Sequence, residues 1–291
     1  METQALTTGK ETFDRFLHEY LAKAAFPSGV FEAFSYSLKA GGKRIRPSLA
    51  MLACECAGGT ETDALPAGLA IEMVHTFSLI HDDLPAIDND QYRRGIPTCH
   101  AAFGEATAIL AGDALVFEAL SVILNAPWPG AVKLDILARL ADCCGVNGLI
   151  QGEYEDIMAE GRPLSFPEVE EIDRKKTSRL FELSLYAGAR IATPDARVIG
   201  ALAGYGISLG LAFQAVDDIL DLTSSAETLG KAAGKDEAQG KATVVKSLGL
   251  ERARSWAGEM TDRAVSSIAG MDNAAAGALR EIAAAMLERV R

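Results

Sequence analysis

The residues best suited to chemistry in this sequence are two acidic clusters far apart along the chain, His81-Asp82-Asp83-Leu84-Pro85-Ala86-Ile87-Asp88 and Asp217-Asp218-Ile219-Leu220-Asp221. Each adjoins a strongly apolar segment, where an uncompensated charge is costly. Carboxylates persist in such places when something cationic holds them, and paired hard oxygen ligands suit Mg²⁺. Asp217 and Asp221 stand four residues apart, so a helix carries them on one face, one turn apart, with Asp218 about 100° away. This cluster would close the C-terminal end of a long apolar helix, where the helix dipole disfavours negative charge. A solvated acidic face or an N-cap therefore explains it less well than a bound cation. Two such clusters imply a site closed from both sides, with metal ions between.

Basic residues accompany the acids. The first cluster continues Asn89-Asp90-Gln91-Tyr92-Arg93-Arg94-Gly95, which suits a phosphate held both by metals on carboxylates and by guanidinium forks. Gly41-Gly42-Lys43-Arg44-Ile45-Arg46-Pro47 is a second basic cluster, weak by itself because such runs recur in many loops. Gly230, Gly234 and Gly240 interleave with Lys231, Lys235 and Lys241, so Thr223 to Gly240 reads as a mobile, lysine-bearing loop. His75 lies in an apolar helical stretch. A satisfied core histidine is the ordinary reading there, and only the company of other basic residues argues for more.

Helices must position these groups, since the hydrophobic periodicity is helical almost throughout. The pattern predicts helices over Phe13–Ala24, Pro47–Cys56 (stopped by Gly58-Gly59), Asp63–Ile80, Gly104–Leu124, Ala131–Met158, Pro167–Ala189 and Asp195–Leu222, with a polar connection from Leu84 to Pro97 and two or more helices closing the chain. No linker or shift of composition divides residues 1–291, so one all-α domain is expected. The 291 residues are 49% hydrophobic, enough for a sizeable core. A net charge of −12 argues against a broad nucleic-acid surface. Val198 to Val216 has no formal charge, yet its glycines, Gln214 and the following aspartates suit a buried core helix better than a membrane span. The N-terminus lacks the apolar stretch of a signal peptide. Cys54, Cys56, Cys99, Cys143 and Cys144 are odd in number and have no zinc-ligand spacing, which points to reduced, buried thiols and a cytoplasmic protein.

Taken together and in order, Gly-Gly-Lys-Arg-x-Arg-Pro, His-Asp-Asp-Leu-Pro-x-x-Asp-Asn-Asp, Arg-Arg-Gly, Lys-Thr, Phe-Gln-x-x-Asp-Asp-Ile-Leu-Asp and Gly-Lys-x-x-Gly-Lys-Asp resemble the trans-isoprenyl diphosphate synthases over nearly the whole chain, and most closely their bacterial farnesyl type. The resemblance implies an all-α bundle around a deep cavity, three Mg²⁺ ions and a homodimer. It also implies the joining of an allylic diphosphate to isopentenyl diphosphate with loss of pyrophosphate. By that resemblance Asp82 and Asp88 ligate two metal ions and Asp217 the third, supported by Asp83, Asp218 and Asp221. Arg93, Lys176, Thr177, Gln214 and Lys231 match positions at the allylic diphosphate, with Lys235 acting beside Lys231. Lys43, Arg46, His75 and Arg94 match the isopentenyl diphosphate site. The basic C-terminus, Glu288-Arg289-Val290-Arg291, either folds over that site or is a solvated tail. Three departures stand out: Gln91-Tyr92 where another acid is usual, Glu153 in place of glutamine, and Ser178 in place of glycine.

Phe77 and Ser78 precede Asp82 by about one helical turn, where a growing chain anchored by its diphosphate would pass. A large ring there makes a floor. Phe77 beside small Ser78, with the extra Leu84-Pro85 inside the motif, resembles the bacterial fifteen-carbon type; simple core packing of Phe77 is the plain alternative. A twenty-carbon product ranks next, then a ten-carbon product. A terpene cyclase would need no second diphosphate site, and a non-catalytic regulatory subunit would be expected to have lost an acidic cluster or the loop lysines.

Overall fold

The computed structural model describes residues 3–23, 27–223 and 240–290. Helices dominate: α1 (Gln4–Lys23), α2 (Val30–Lys39), α3 (Ile45–Cys56), α4 (Glu61–Asp82), α5 (Cys99–Phe103), α6 (Glu105–Asn125), α7 (Gly130–Cys144), α8 (Leu149–Ala159), α9 (Phe166–Asp173), α10 (Arg179–Ala192), α11 (Ala196–Thr223), α12 (Val244–Leu248), α13 (Leu250–Ser267) and α14 (Ala274–Leu287). The described strands are β1 (Tyr92–Arg93) and β2 (Ile96–Pro97), an antiparallel hairpin within the connection after α4. The all-α expectation therefore holds.

Two apolar clusters build the core. One gathers Phe13, Leu17, Leu69, Met73, Leu115 and Ile136 from α1, α4, α6 and α7. The other gathers Leu49, Phe181, Tyr205, Leu209, Leu279 and Ile282 from α3, α10, α11 and α14. Helix α10 serves both, since Leu183 belongs to the first cluster and Leu185 to the second. Leu183 and Leu185 thus face different clusters, while Arg179, Glu182 and Arg190 keep charged positions along the same helix. Helices α6 and α11 are long and apolar enough to cross a membrane. For α11 the explanation is packing between α10 and α13. All five cysteines are free and buried.

Three differences from the sequence expectation have local causes. The helix expected over Ala131–Met158 is broken between α7 and α8, because the chain folds so tightly that a Cβ on Gly148 would meet the Cys143 carbonyl oxygen at 1.9 Å. The helix expected over Pro167–Ala189 holds a π-turn at Arg174–Ser178. Helix α2 carried no motif and was not anticipated.

Arg44 shows how the basic loop before α3 is fixed. Its backbone is left-handed (φ 49°), and its buried guanidinium reaches Asp14 Oδ1 (2.9 Å), Glu72 Oε1 (2.6 Å) and the Leu38 carbonyl (2.6 Å). Removing one partner leaves Glu72 charged inside the core, so Arg44→Met is expected to cost about 3–5 kcal/mol in denaturant unfolding, with partial recovery when Glu72→Gln is added. A loss below about 1 kcal/mol would mean that the loop is held by other contacts.

Candidate active site

Helix α4 delivers Asp82 as its last residue, and Asp83 caps it. The chain then turns on itself, with backbone bonds from Asp88 N to Asp82 O (2.8 Å), Asn89 N to Leu84 O (3.0 Å) and Asp90 N to Asp83 O (3.1 Å). This knot returns Asp88 beside Asp82. The β1–β2 hairpin then brings Arg93 back onto Asp83, with Nε 2.9 Å from both carboxylate oxygens and Nη2 2.6 Å from one. Asp83 is thus spent on orienting Arg93. From the opposite side α11 supplies Gln214, Asp217 and Asp218, and the π-turn supplies Lys176.

The π-turn can come this close only because glycines face it. A Cβ on Gly152 of α8 would lie 2.4 Å from Lys176 N, and one on Gly210 of α11 would lie 2.5 Å from Ser178 Cα. Thr177 donates to Gln214 Oε1 (3.0 Å), and Gln214 Nε2 donates to Asp218 (2.9 Å), so these three residues orient one another. Asp218 also accepts from Val244 N (2.8 Å), which ties the start of α12 to the cluster.

These elements enclose a polar cavity of about 300 Å³ lined by Asp82, Asp88, Asp90, Asp156, Asp173, Asp217 and Asp218 together with Arg93, Lys176, Lys241 and Gln214. Several of its carboxylates face cations of the protein itself. Lys176 lies 2.6 Å from Asp156 and 2.8 Å from Glu153, Lys241 lies 3.3 Å from Asp88, and Arg289 lies 3.4 Å from Asp217. The acids nevertheless outnumber these cations. Burial, and then the charge of Glu153, push the Asp82 carboxyl up to about 8. Burial, then Asp218 and Asp156, push Asp173 well above the ordinary carboxylate range. Burial pulls Lys176 down, yet Asp156, Glu153 and Asp82 outweigh it and hold the ammonium charged. Carboxylates that cannot all ionise without more positive charge are a fitting donor set for a hard divalent cation. Among the described residues no three acidic, histidine or cysteine side chains are drawn together round a common metal position.

A second cavity, of about 330 Å³, is lined by Lys43, Arg46, His75 and Arg94 with Arg44, Glu72 and Phe213. The Arg46 guanidinium stacks on the Phe181 ring at 4.8 Å, and its buried Nε has no hydrogen-bond partner among the described residues. Burial lowers its pKa to about 10. Burial first, then Arg46 and Arg94, hold His75 far below its usual value, so it is neutral at pH 7. A buried cation with an open donor is built for an anion. If this cavity takes the isopentenyl diphosphate that the sequence resemblance implies, Arg46→Leu is expected to raise the KM for it about a hundredfold while the allylic KM moves less than threefold, as steady-state kinetics would read. Equal shifts in both would separate Arg46 from this site.

The third cavity, of about 520 Å³, is mostly apolar and meets the acidic cavity at Asp82, which lines both. Its lining includes Phe77, Ser78, Val116, Phe117, Leu149, Ile150, Tyr154 and Ile157, with Glu153 at its polar end. Phe77 meets His81 edge-on at 4.9 Å.

Of the residues singled out from sequence, Asp82, Asp88, Asp217, Asp218, Arg93, Lys176 and Gln214 converge on the acidic cavity, and Lys43, Arg46, His75 and Arg94 on the second. Asp221 is buried and lines none of these cavities. Lys231, Lys235 and Arg291 lie outside the described residues. Gln91 turns to His100 (3.3 Å). The basic C-terminus is no solvated tail: Val290 is buried and Arg289 reaches Asp217, on the metal side rather than over Lys43 and Arg46. Sequence reasoning missed Asp156, Asp173 and Lys241 as lining residues. Lys241 had a signal in its Gly240-Lys241 pair; Asp173 had none.

Comparison with known proteins agrees with this geometry. Residues 28–286 match the polyprenyl synthetase family model. The chain is 42% identical to the farnesyl diphosphate synthase of Geobacillus stearothermophilus over 254 residues, covering 86% of each. It is 43% identical to a chloroplastic geranylgeranyl pyrophosphate synthase of Catharanthus roseus over 249 residues, covering 84% of this chain and 70% of that one. The crystal structure of a geranylgeranyl pyrophosphate synthetase from Pyrococcus horikoshii superposes with a TM-score of 0.90 at 28% identity, covering 98% of both chains.

Proposed function

The chain belongs to the polyprenyl synthetase family and is a prenyltransferase, and we propose that it makes farnesyl diphosphate by adding isopentenyl diphosphate to dimethylallyl and then to geranyl diphosphate. The observation that carries this reading is the meeting of an acidic and an apolar cavity at Asp82, with Phe77 in the apolar one and an anion-ready basic cavity nearby.

In this reading Asp82 and Asp88 from one wall, and Asp217 from the other, would hold three Mg²⁺ ions that supply positive charge to the leaving diphosphate. Arg93 is aimed by Asp83, and Lys176 and Lys241 stand within the same cavity to bind the diphosphate oxygens. Breaking the allylic C–O bond sends its electron pair to the departing pyrophosphate. The apolar lining keeps water from the cation so formed, and Arg46, Lys43 and Arg94 hold isopentenyl diphosphate so that its double bond attacks the allylic carbon. Loss of a proton to the released pyrophosphate restores a double bond. Neutral His75 is suited to hydrogen bonding rather than to charge pairing. The free, buried cysteines support a cytoplasmic setting.

Geranylgeranyl diphosphate is the second reading, favoured by the likeness to the Catharanthus roseus enzyme. The test is product chromatography after incubating isopentenyl diphosphate with dimethylallyl, geranyl or farnesyl diphosphate and Mg²⁺. Farnesyl diphosphate as end product from the first two starters, lost on chelation, is expected. Ready extension of farnesyl diphosphate would replace this reading with the longer one. A cyclic hydrocarbon from farnesyl diphosphate alone would replace both with a cyclase.

A further inference from the structure

The β1–β2 hairpin brings one arginine to each of two cavities, Arg93 to the acidic one and Arg94 to the basic one. It is a small element to carry that load. Its ladder pairs Tyr92 with Pro97 and Arg93 with Ile96, and Pro97 has no N–H to give. Tyr92 is exposed, and beneath the hairpin lies a cavity of about 30 Å³ whose lining includes Tyr36, Ser37, Thr76, Asp83 and Thr98. A two-stranded hairpin has little stability of its own, so bonds at its edges decide where the two arginines stand.

Side chains close its base. Thr98 N donates to the Gln91 carbonyl (3.0 Å), and the Thr98 hydroxyl donates to the Asp90 carbonyl (2.7 Å). The single hydroxyl proton is thereby used. Toward His100 Nδ1, 3.1 Å away, the hydroxyl must therefore accept while the ring N–H donates. Gln91 Nε2 lies 3.3 Å from His100 Nε2, and an amide nitrogen only donates, so Nε2 is the acceptor of the ring. An imidazole protonated on Nδ1 and bare on Nε2 satisfies the whole series from Gln91 through His100 and Thr98 to Asp90. Thr98 and His100 are buried, so water does not readily replace a lost partner.

We propose that His100 and Gln91 are positioning residues for prenyl transfer. They tie the chain entering the hairpin to the chain leaving it, and so fix Arg93 and Arg94 at one spacing for the two diphosphates. The other bonds of the hairpin leave this task to the base. Arg93 reaches back to Asp83, Arg94 reaches the Gly41 carbonyl, and Tyr36 donates to the Pro97 carbonyl (2.8 Å). Gln91 departs from the acid usual at its position, and the departure matters, because a carboxylate has no proton to give to Nε2. The kinetic consequence rests on the prenyl-transfer reading above; the tautomer and the effect on anion binding do not.

The experiment compares the full chain with Gln91→Met, His100→Leu and His100→Asn, the last placing an amide nitrogen where Nδ1 meets Thr98. In proton–nitrogen spectra of histidine-labelled protein at neutral pH, the ring whose signals vanish in His100→Asn should show the Nδ1–H tautomer. Steady-state kinetics should show the allylic and isopentenyl KM values rising together, about tenfold in His100→Leu and about threefold in Gln91→Met, with His100→Asn within about threefold of wild type. Calorimetry should show inorganic pyrophosphate bound about tenfold more weakly by His100→Leu. A purely structural role would lower the active fraction and the apparent kcat while both KM values and pyrophosphate binding stayed unchanged; that result would overturn the proposal. So would an Nε2–H or charged ring, or a rise in one KM alone. Should His100→Leu fail to fold, Gln91→Met, altered at an exposed position, carries the same comparison. A wild type without turnover, together with weakened pyrophosphate binding in the variants, would remove the prenyl-transfer reading and leave the hairpin role standing.

Discussion

Asp82→Asn is expected to lower kcat at least about a thousandfold at saturating Mg²⁺ and substrates. Asp82 is the one aspartate of the first cluster that lines both the acidic cavity and the apolar cavity, which in the proposed reading places it where the C–O bond breaks. An amide keeps the shape and one oxygen but loses the charge on which a hard cation depends. The variant should fold normally. Burial and the charge of Glu153 push the Asp82 carboxyl up to about 8, toward its neutral form, which asparagine closely mimics. The same shift sets a sign for the wild type. A metal ion must displace the proton, so its apparent affinity should rise with pH until about pH 8 and level off above it. Steady-state kinetics, thermal unfolding and Mg²⁺ titration at several pH values read all three expectations. A fall in kcat of less than tenfold with an intact fold would remove Asp82 from the clamp.

Glu153 gives that clamp its individual character. It bonds Lys176 at 2.8 Å while raising Asp82, so its charge does two opposed things within one site. The excess of carboxylates draws cations in, and Lys176, Lys241 and Arg289 pair with Asp156, Asp88 and Asp217. In the proposed reading, metal and diphosphate uptake would re-pair these side chains, which come from the π-turn, the segment before α12 and the C-terminal turn.

How much of this was legible in the sequence depends on what each feature rests on. The apolar run ending in Asp217-Asp218 was legible because a core helix and a charged end leave opposite compositional marks, and α11 spans nearly the expected residues. The acidic and basic clusters could be grouped because each is contiguous. The break between α7 and α8 was not legible, since Gly145 and Gly148 act through a close approach to backbone one turn earlier rather than through any turn signature. The π-turn was equally silent. It exists because Gly152 and Gly210, from two other helices, admit it. Asp173 carries no motif and joins the site only through tertiary packing, whereas Asp156 ends the Gly152-Glu153-Tyr154-Glu155-Asp156 run, in which only Glu153 drew notice.

Phe77→Ala is expected to move the main product from fifteen carbons to twenty or more. The ring lines the apolar cavity next to Ser78, about one turn before Asp82, and in the proposed reading stands on the path of a chain whose diphosphate is anchored at the acidic clusters. Removing it frees roughly the bulk of one isoprene unit in a cavity of about 520 Å³ that Val116, Leu149 and Ile157 also line. The plain alternative is that Phe77 only packs the core, where its ring meets His81 and adjoins the first apolar cluster. The two readings diverge in what they predict. A packing role alone lowers stability by about 3 kcal/mol and leaves product length unchanged. A floor lengthens the product even at temperatures where the variant is fully folded, and its converse, Ser78→Phe, should shorten the product toward ten carbons by placing a second ring beside the first. Chromatography of dephosphorylated products from both variants decides between them. An unchanged distribution in Phe77→Ala with a lowered unfolding temperature would assign the ring to packing, and the floor would then have to be sought among the side chains of α6 and α8 further along the same cavity.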